Sequence, residues 1–518
     1  MSRLLAWVTS ILLLFLVAEG LTRLLTTATP LEPDARLGWK YKTHVHQTRS
    51  TDGKAWDFRT SEERLRAPDG YGLGPKAPGE FRILLLGDSF TLGWGLDPDE
   101  TFASKLEEKL ASAGTPATVI PAGIEAYSTD QECLWLEEHG ARYQPDVVIV
   151  LPYVNDVVWN AQPRYLTSAK PLFILGDDGS IHADPGPVAG PPWWIRYSRL
   201  ISKVQSIRTA FASQIPVPPE FGGGRLQLDD FPFLKKETPQ AKEGWRETAA
   251  IAKRLVEKAR GLGASTVCAA PIPSRFEVYP VDAAMFARSH GCELGALDFA
   301  KPTQKLAETF AGAGATVLDA VSPVLATAAR ERLYFEGVDW HFNARGAEVF
   351  AGGLHAALEK AGALPPKGAR AAGATLASGG AHAAGGIPTW AFVVAGLWIA
   401  LSIGFKVAYP DESVIGAFVK VGLLAAFVVA VVAGVTAGAA ALPPPVKILL
   451  FVVLIGGLAI YAIVKTRSRF GTIRELFGAL VDRGHWYLVP MLVVMLTISV
   501  LLVVAQNPIV APFIYTLF

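Results

Sequence analysis

The stretch Arg82-Ile-Leu-Leu-Leu-Gly-Asp-Ser-Phe-Thr-Leu-Gly-Trp-Gly95 decides how the rest of the chain is read. Its short apolar run at 83–86 has the length and uniformity of a strand buried on both faces. The run stops at Gly87-Asp88-Ser89, and a helical pattern resumes near Asp99. A serine on a tight glycine turn at the carboxyl end of such a strand lies where open α/β sheets place their ligands. Its hydroxyl faces a crevice there, and the amides opening the next segment can receive a developing anion. Three common residues also make an ordinary strand-to-loop turn, so Ser89 as a nucleophile needs support from the rest of the chain.

Outward from this stretch the periodicity is regular. Helix 99–112, strand 118–121, helix 129–143 and strand 147–152 come next. After a long insertion come helix 243–262, strand 266–272, strand 316–318 and helix 344–360. Apolar strands alternating with amphipathic helices predict an α/β fold with a parallel sheet covered on both faces. Residues 30–80, rich in Pro, Gly and charge around Gly38-Trp39-Lys40 and Tyr71, read as an irregular lead-in packed on the domain surface. The insertion, about 160–242, is Pro- and Gly-rich and holds a helical pattern after Trp193-Trp194, with Leu200, Val204, Ile207 and Phe211 on one face. That helix reads either as a lid on the domain or as a helix lying at a bilayer surface.

With 518 residues the chain exceeds one compact domain. Its 48 basic and 47 acidic residues leave a net charge of +1, which argues against a nucleic-acid partner. The apolar fraction, 51%, is high because of segments at the N-terminus and beyond residue 388. Residues 4–18 come after Arg3, are nearly all apolar, and continue that pattern to Leu25. We read 1–29 as an uncleaved membrane anchor, with a cleaved signal peptide as the rival; either exports the globular segment beyond residue 29. Residues 30–363 form the expected globular domain, and 364–387 an Ala/Gly-rich linker. Apolar stretches at 390–407, 414–442 and 446–464 predict three spans within 388–466, and 486–504 a last span within 467–518. Lys465, Arg467, Arg469, Arg474 and Arg483 in the loop before that last span outnumber Glu475 and Asp482, which places the loop in the cytoplasm. Counting back puts the globular domain outside the membrane.

Three further features bear on Ser89. Gly123 ends the second strand, Asn155-Asp156 comes after the third, and Asp339-Trp-His341 precedes the last helix. A serine nucleophile needs a base, and the base an orienting acceptor; His341 and Asp339 supply these residue types. The amides of Ser89 and Gly123, with the Asn155 side chain, can form an oxyanion hole. Each piece also has a plain reading: a turn glycine at Gly123, a helix cap or Asx turn at Asn155, a capped helix start before His341. No phosphate-binding loop is present, and Gly93-Trp-Gly95 lacks dinucleotide-loop spacing. The remaining histidines and the three cysteines have no metal-site spacing, so neither metal nor cofactor is expected. Cys133 and Cys268 read as small buried residues, with a Cys268–Cys292 disulfide open in an oxidising compartment.

Taken together, these positions resemble the four blocks of the SGNH/GDSL hydrolase family over about 36–362. The first block matches at Gly87-Asp88-Ser89, the second at Gly123, the third at Asn155-Asp156 and the last at His341. Pro121 stands where an Asn often precedes that Gly, and Tyr153 where a Gly usually precedes the Asn. Asp339 lies two residues before His341 rather than the commoner three, as in the branch resembling alginate-type acetyltransferases. The resemblance implies a three-layer flavodoxin-like fold and ester chemistry at Ser89. Residues 470–518 resemble small single-span bacterial proteins of unknown function. Residues 388–466 resemble the multi-span proteins that accompany them near carbamoyltransferase-like genes.

The expectation is a membrane-anchored serine esterase or O-acyltransferase acting on an acylated glycan or lipid-linked intermediate outside the cytoplasmic membrane. Its expected partners are that acyl-ester substrate, membrane lipid and membrane proteins of a biosynthetic cluster. The alternative is an inert SGNH-like scaffold that binds glycan without turnover.

Overall fold

The computed structural model describes residues 28–379 except 167, 177–179, 185–187, 189, 191, 193–194, 196, 213, 338 and 372–374, with isolated positions in 15–23 and 402–423. The chain divides into two units, Met1–Thr26 with Ala383–Asn507 and Thr27–His382 with Pro508–Phe518. The α/β fold belongs to the second. The expected anchor and the four expected spans lie outside the described residues but for those isolated positions. Among the described residues no helix is long and apolar enough to cross a membrane.

Two antiparallel hairpins come first: β1 (Leu31–Asp34) with β2 (Gly38–Tyr41), and β3 (His46–Thr51) with β4 (Lys54–Arg59). Residues 30–80 are therefore not the irregular lead-in expected from their composition. Trp39 and Tyr41 alternate with Gly38 and Lys40, and Trp56 and Phe58 with Ala55 and Asp57. A period of two turns all four rings into the core. Strands this short, broken by charged turns, carry too little pattern to register as sheet.

β5 (Arg82–Gly87) is buried along its whole length and runs into a single helical turn, α1 (Ser89–Leu92). Then come α2 (Phe102–Ser112), β6 (Thr118–Gly123), α3 (Thr129–His139), β7 (Val147–Val150) and the short α4 (Asp156–Trp159). The described residues of the insertion include three small hairpins and the helix α5: β8 (Arg164–Tyr165) with β9 (Ser168–Ala169), β10 (Phe173–Leu175) with β11 (Ile181–Ala183), α5 (Arg199–Ala212), and β12 (Ile215–Pro216) with β13 (Arg225–Leu226). The chain continues through α6 (Pro239–Gly261), β14 (Thr266–Ala269), α7 (Arg275–Val278), α8 (Pro280–His290), α9 (Lys301–Gly312), β15 (Thr316–Val317), α10 (Val321–Ala328) and α11 (Ala344–Lys360). Helices α7 to α10 were not among the expected elements. They are short, and α8 leaves Val281 and Met285 facing solvent, so the apolar stripe that marks a helix is weak.

The central sheet has the order β15-β14-β7-β5-β6, every pairing parallel. Numbered by appearance within the sheet this is 2-1-3-4-5, the doubly wound flavodoxin-like arrangement. Helix α2 packs on α11, with Phe102 edge-on to Phe350 at 5.2 Å, while α3 and α9 pack on α6. Such a sheet changes winding direction between β5 and β7, and ligands bind outside the carboxyl ends of the strands at that point. Ser89 lies two residues past the end of β5 and Asn155 five past the end of β7, so both sit at the switch point. All three cysteines are free, and no Cys268–Cys292 bond forms.

Candidate active site

Asp88 ends the β5 turn and accepts a hydrogen bond from Phe90 N–H at 2.8 Å, capping α1 and placing Ser89 on its first turn. Burial pushes the Asp88 carboxyl up to about 6; the Phe90 bond and nearby His341 oppose that rise. Strand β6 presses closely on α1. A Cβ built on Gly123 would lie 2.3 Å from the Leu92 nitrogen, and one on Gly87 2.1 Å from Thr91 Oγ1. Both positions therefore need glycine for close approach, which fixes the Ser89 turn against the sheet edge.

Ser89 Oγ lies 2.7 Å from His341 Nε2. On the other side of the ring, His341 Nδ1–H donates to Asp339 Oδ1 at 2.8 Å, and the His341 backbone N–H donates to the same oxygen at 2.9 Å. With Nδ1 donating to a carboxylate, Nε2 is left as the acceptor for the Ser89 proton. Asp339 is buried, which pulls its pKa up, but the His341 charge and bonds and Trp94 outweigh that and hold it below the ordinary carboxylate value. The segment carrying His341 is pinned by Phe335 N–H donating to His341 C=O at 3.1 Å and by Asn343, which caps α11 through Gly346 N–H.

Three residues support this arrangement without having been singled out in the sequence. Trp94 Nε1–H donates to Asp339 Oδ2 at 3.0 Å, and its ring stacks on His341 at 5.8 Å. Phe90 also packs against the imidazole, 4.7 Å away. Arg275 donates to the backbone oxygens of Asp339 at 2.8 Å and Gly337 at 3.0 Å while paired with Asp282. Trp94 lies within the 82–95 stretch itself, but an indole one turn past a nucleophile carries no spacing signal. Arg275 is 64 residues from Asp339, so only the fold joins them. The buried hairpin aromatics also belong here: Trp56 packs 5.7 Å from Trp94, and Arg49 lies 4.2 Å over the Trp94 ring.

The three expected anion donors lie at or just past the carboxyl ends of adjacent strands β5, β6 and β7. Ile124 N–H donates to Gly87 C=O at 3.2 Å. Alternation along a parallel ladder then turns Gly123 N–H away from β5, and β6 is the edge strand. Pro121 shares that outward orientation, so its missing N–H costs no ladder bond. Ser89 N–H opens α1 and has no acceptor within that turn. Asn155 precedes α4 but makes no capping bond, and its Oδ1 is buried without a partner. The structural work of the pair falls to Asp156, whose Oδ2 accepts from Tyr153 N–H and Thr129 Oγ1–H, both at 3.1 Å. Tyr153, standing where a glycine is usual, packs its ring 4.7 Å from Phe90. Among the described residues no group of acidic, histidine or cysteine side chains could hold a metal ion.

If Asn155 donates to a developing oxyanion, Asn155→Ala should lower kcat about 10²–10³-fold with KM little changed. Melting temperature should hold, because the side chain caps nothing. A drop in stability with kcat retained would assign Asn155 to the scaffold.

The model of the GDSL-like lipase/acylhydrolase family matches residues 85–349, half of the chain, and spans the Ser89, Gly123, Asn155, Asp339 and His341 positions. The chain belongs to this family of ester-hydrolysing enzymes. Residues 470–518 match a family of unknown function, DUF5989. An arylesterase of Vibrio mimicus is 27% identical over 101 residues, which cover 19% of this chain and 50% of that protein. The chain thus spans about half the length of the curated relative it matches. Among solved structures, a lipase/acylhydrolase from Enterococcus faecalis is similar over 55% of this chain and 98% of its own, at 14% identity and a TM-score of 0.29. An acetylxylan esterase from Geobacillus stearothermophilus is similar over 54% and 95%, at 12% identity and a TM-score of 0.30. Likeness at that level says nothing about substrate.

Proposed function

We propose that this chain is a membrane-anchored serine esterase or O-acyltransferase that acts on an acylated glycan or a lipid-linked intermediate outside the cytoplasmic membrane. The observation that carries the chemistry is the hydrogen-bonded series Ser89–His341–Asp339; the Ser89 and Gly123 N–H groups and the Asn155 amide, which caps nothing, support an oxyanion hole beside it. In this reading Ser89 Oγ attacks the acyl carbonyl as His341 Nε2 takes its proton. The carbonyl electrons move onto oxygen, where Ser89 N–H, Gly123 N–H and Asn155 stabilise the charge. The tetrahedral species collapses, the alcohol leaves with the proton from His341, and an acyl-serine remains. Water or a second alcohol then takes the acyl group by the reverse sequence, so hydrolysis and transfer share every protein group. A scaffold without turnover has no need of a serine 2.7 Å from an oriented imidazole.

A fluorophosphonate probe tests the chemistry: it should label the wild-type protein and spare Ser89→Ala. An unlabelled wild type would return the scaffold reading.

The setting rests on the sequence. The apolar run at 4–18 after Arg3 and the basic loop at 465–483 support a cytoplasmic N-terminus and an external catalytic domain. Reporter fusions should give alkaline phosphatase activity at residues 370 and 518 and green fluorescence at 470. Fluorescence at 370 would move the domain, and its substrate, to the cytoplasm.

A further inference from the structure

The insertion and the end of α4 line an open cavity of about 690 Å³. One wall begins at Trp159, the last residue of α4, whose first residue comes directly after Asn155. Four helical residues rise only about 6 Å, so this wall starts one helical turn from Asn155. Helix α5 forms the opposite wall through Ile201, Val204, Gln205 and Arg208. The expected apolar face of that helix included Leu200 and Val204; the cavity instead meets a mixed face. Its size falls within the roughly 300–1,000 Å³ of small-molecule sites.

We infer that this cavity is a glycan subsite, holding saccharide units that flank the acylated one while the ester lies at Ser89. The inference rests on the esterase reading above and names the part of the substrate that the insertion recognises. The polar part of the lining includes Gln162, Gln205, Thr209, Gln227 and Asp229. Among the described residues, the side-chain amides of Gln162 and Gln205 have no hydrogen-bond partner. Asp229 accepts from Trp159 Nε1–H and retains a second oxygen, and burial pushes its carboxyl up to about 6. An alkyl chain entering here would strip water from these groups and replace none of its bonds. A glycan replaces them with its hydroxyls, while Ile201 and Leu228 meet the C–H faces of its rings. Amides, two guanidinium groups and a carboxylate set among Trp159, Leu166, Val204 and Ile215 suit a polyhydroxylated ligand, because its rings are polar at the edge and apolar on the face.

The test uses the full-length chain in detergent, with 4-nitrophenyl acetate, 4-nitrophenyl decanoate, and O-acetylated xylo- and mannuronate oligosaccharides of one to six units. For at least one oligosaccharide series, kcat/KM should rise tenfold or more between one and four units, chiefly through KM. Gln205→Ala with Arg208→Ala should cut the four-unit to one-unit ratio about tenfold. Gln205→Trp, which narrows the cavity, should weaken the length dependence, and the melting curve of each variant checks that it folds. Length-independent turnover in both series, by a protein that cleaves 4-nitrophenyl acetate, overturns the glycan subsite and leaves the esterase standing. So does a preference for decanoate that Gln205→Trp removes, since the cavity would then take the acyl chain. No turnover of any ester and no fluorophosphonate labelling would overturn both readings together.

Discussion

Ser89→Ala and His341→Ala should each lower kcat for an activated ester about 10⁴–10⁶-fold, with the double variant little worse than either. The expectation comes from the shared proton. Ser89 Oγ is a weak nucleophile until His341 Nε2, 2.7 Å away, removes its hydrogen. Without the base the hydroxyl is inert, and without the hydroxyl the base has nothing to activate. The second loss therefore removes a function already gone. The donors around the oxyanion remain, so a small rate above water should survive in all three variants. Folding should be little affected: Ser89 Oγ makes its bond to the imidazole, not to the scaffold that Asp88 and Gly123 hold in place. Comparing kcat for the three variants on 4-nitrophenyl acetate settles the matter. Turnover by purified Ser89→Ala within a few fold of wild type, or losses that multiply in the double variant, would remove Ser89 from the chemistry.

The part of the site legible in the sequence is the part fixed by strand ends. The run at 83–86 is apolar throughout because β5 has a neighbour on each side and helices on both faces. Its carboxyl end could therefore be located, and with it Ser89. Gly123, Asn155 and His341 obey the same logic, each standing where an apolar element stops or starts. The structure brings all of them to one edge. The strand order is not written in any local pattern, since parallel partners are chosen by the packing of helices far apart in the chain. The contacts that orient Asp339 are hidden for the same reason. Trp94 and Arg275 act through side-chain geometry across loops, and their neighbours Trp56 and Arg49 lie in hairpins that read as an irregular lead-in. The cavity in the insertion was equally illegible, because a Pro- and Gly-rich segment announces turns but not the space they enclose.

Asp339→Asn carries the other large effect, and the bonds around this carboxylate determine its direction. Oδ1 accepts from both His341 Nδ1–H and His341 N–H, and Oδ2 accepts from Trp94 Nε1–H. All three partners are donors, so the position demands an acceptor at both ends. An asparagine offers one oxygen and one NH₂ group. With its oxygen toward His341, the NH₂ meets the indole N–H of Trp94, donor against donor. Turned over, the oxygen satisfies Trp94 and the NH₂ donates to Nδ1, but it then also meets the His341 backbone N–H. In that orientation the ring accepts at Nδ1 and carries its proton on Nε2, where it cannot take the proton of Ser89. No orientation serves all three donors, Trp94 favours the one with the wrong tautomer, and kcat should fall about 10³–10⁴-fold near neutral pH. The same reasoning makes a second variant informative. Trp94→Phe in the Asp339→Asn background removes the opposing donor and lets the oxygen return to His341. An unsatisfied donor costs about 1–3 kcal/mol, so the double variant should recover roughly tenfold in kcat over Asp339→Asn alone. In the wild-type background, Trp94→Phe should instead lower kcat, because it only removes a bond to Asp339. Measuring kcat on 4-nitrophenyl acetate for these three proteins checks both claims. Asp339→Asn within tenfold of wild type would show that Asp339 does not set the tautomer, and no recovery in the double variant would remove Trp94 from that role.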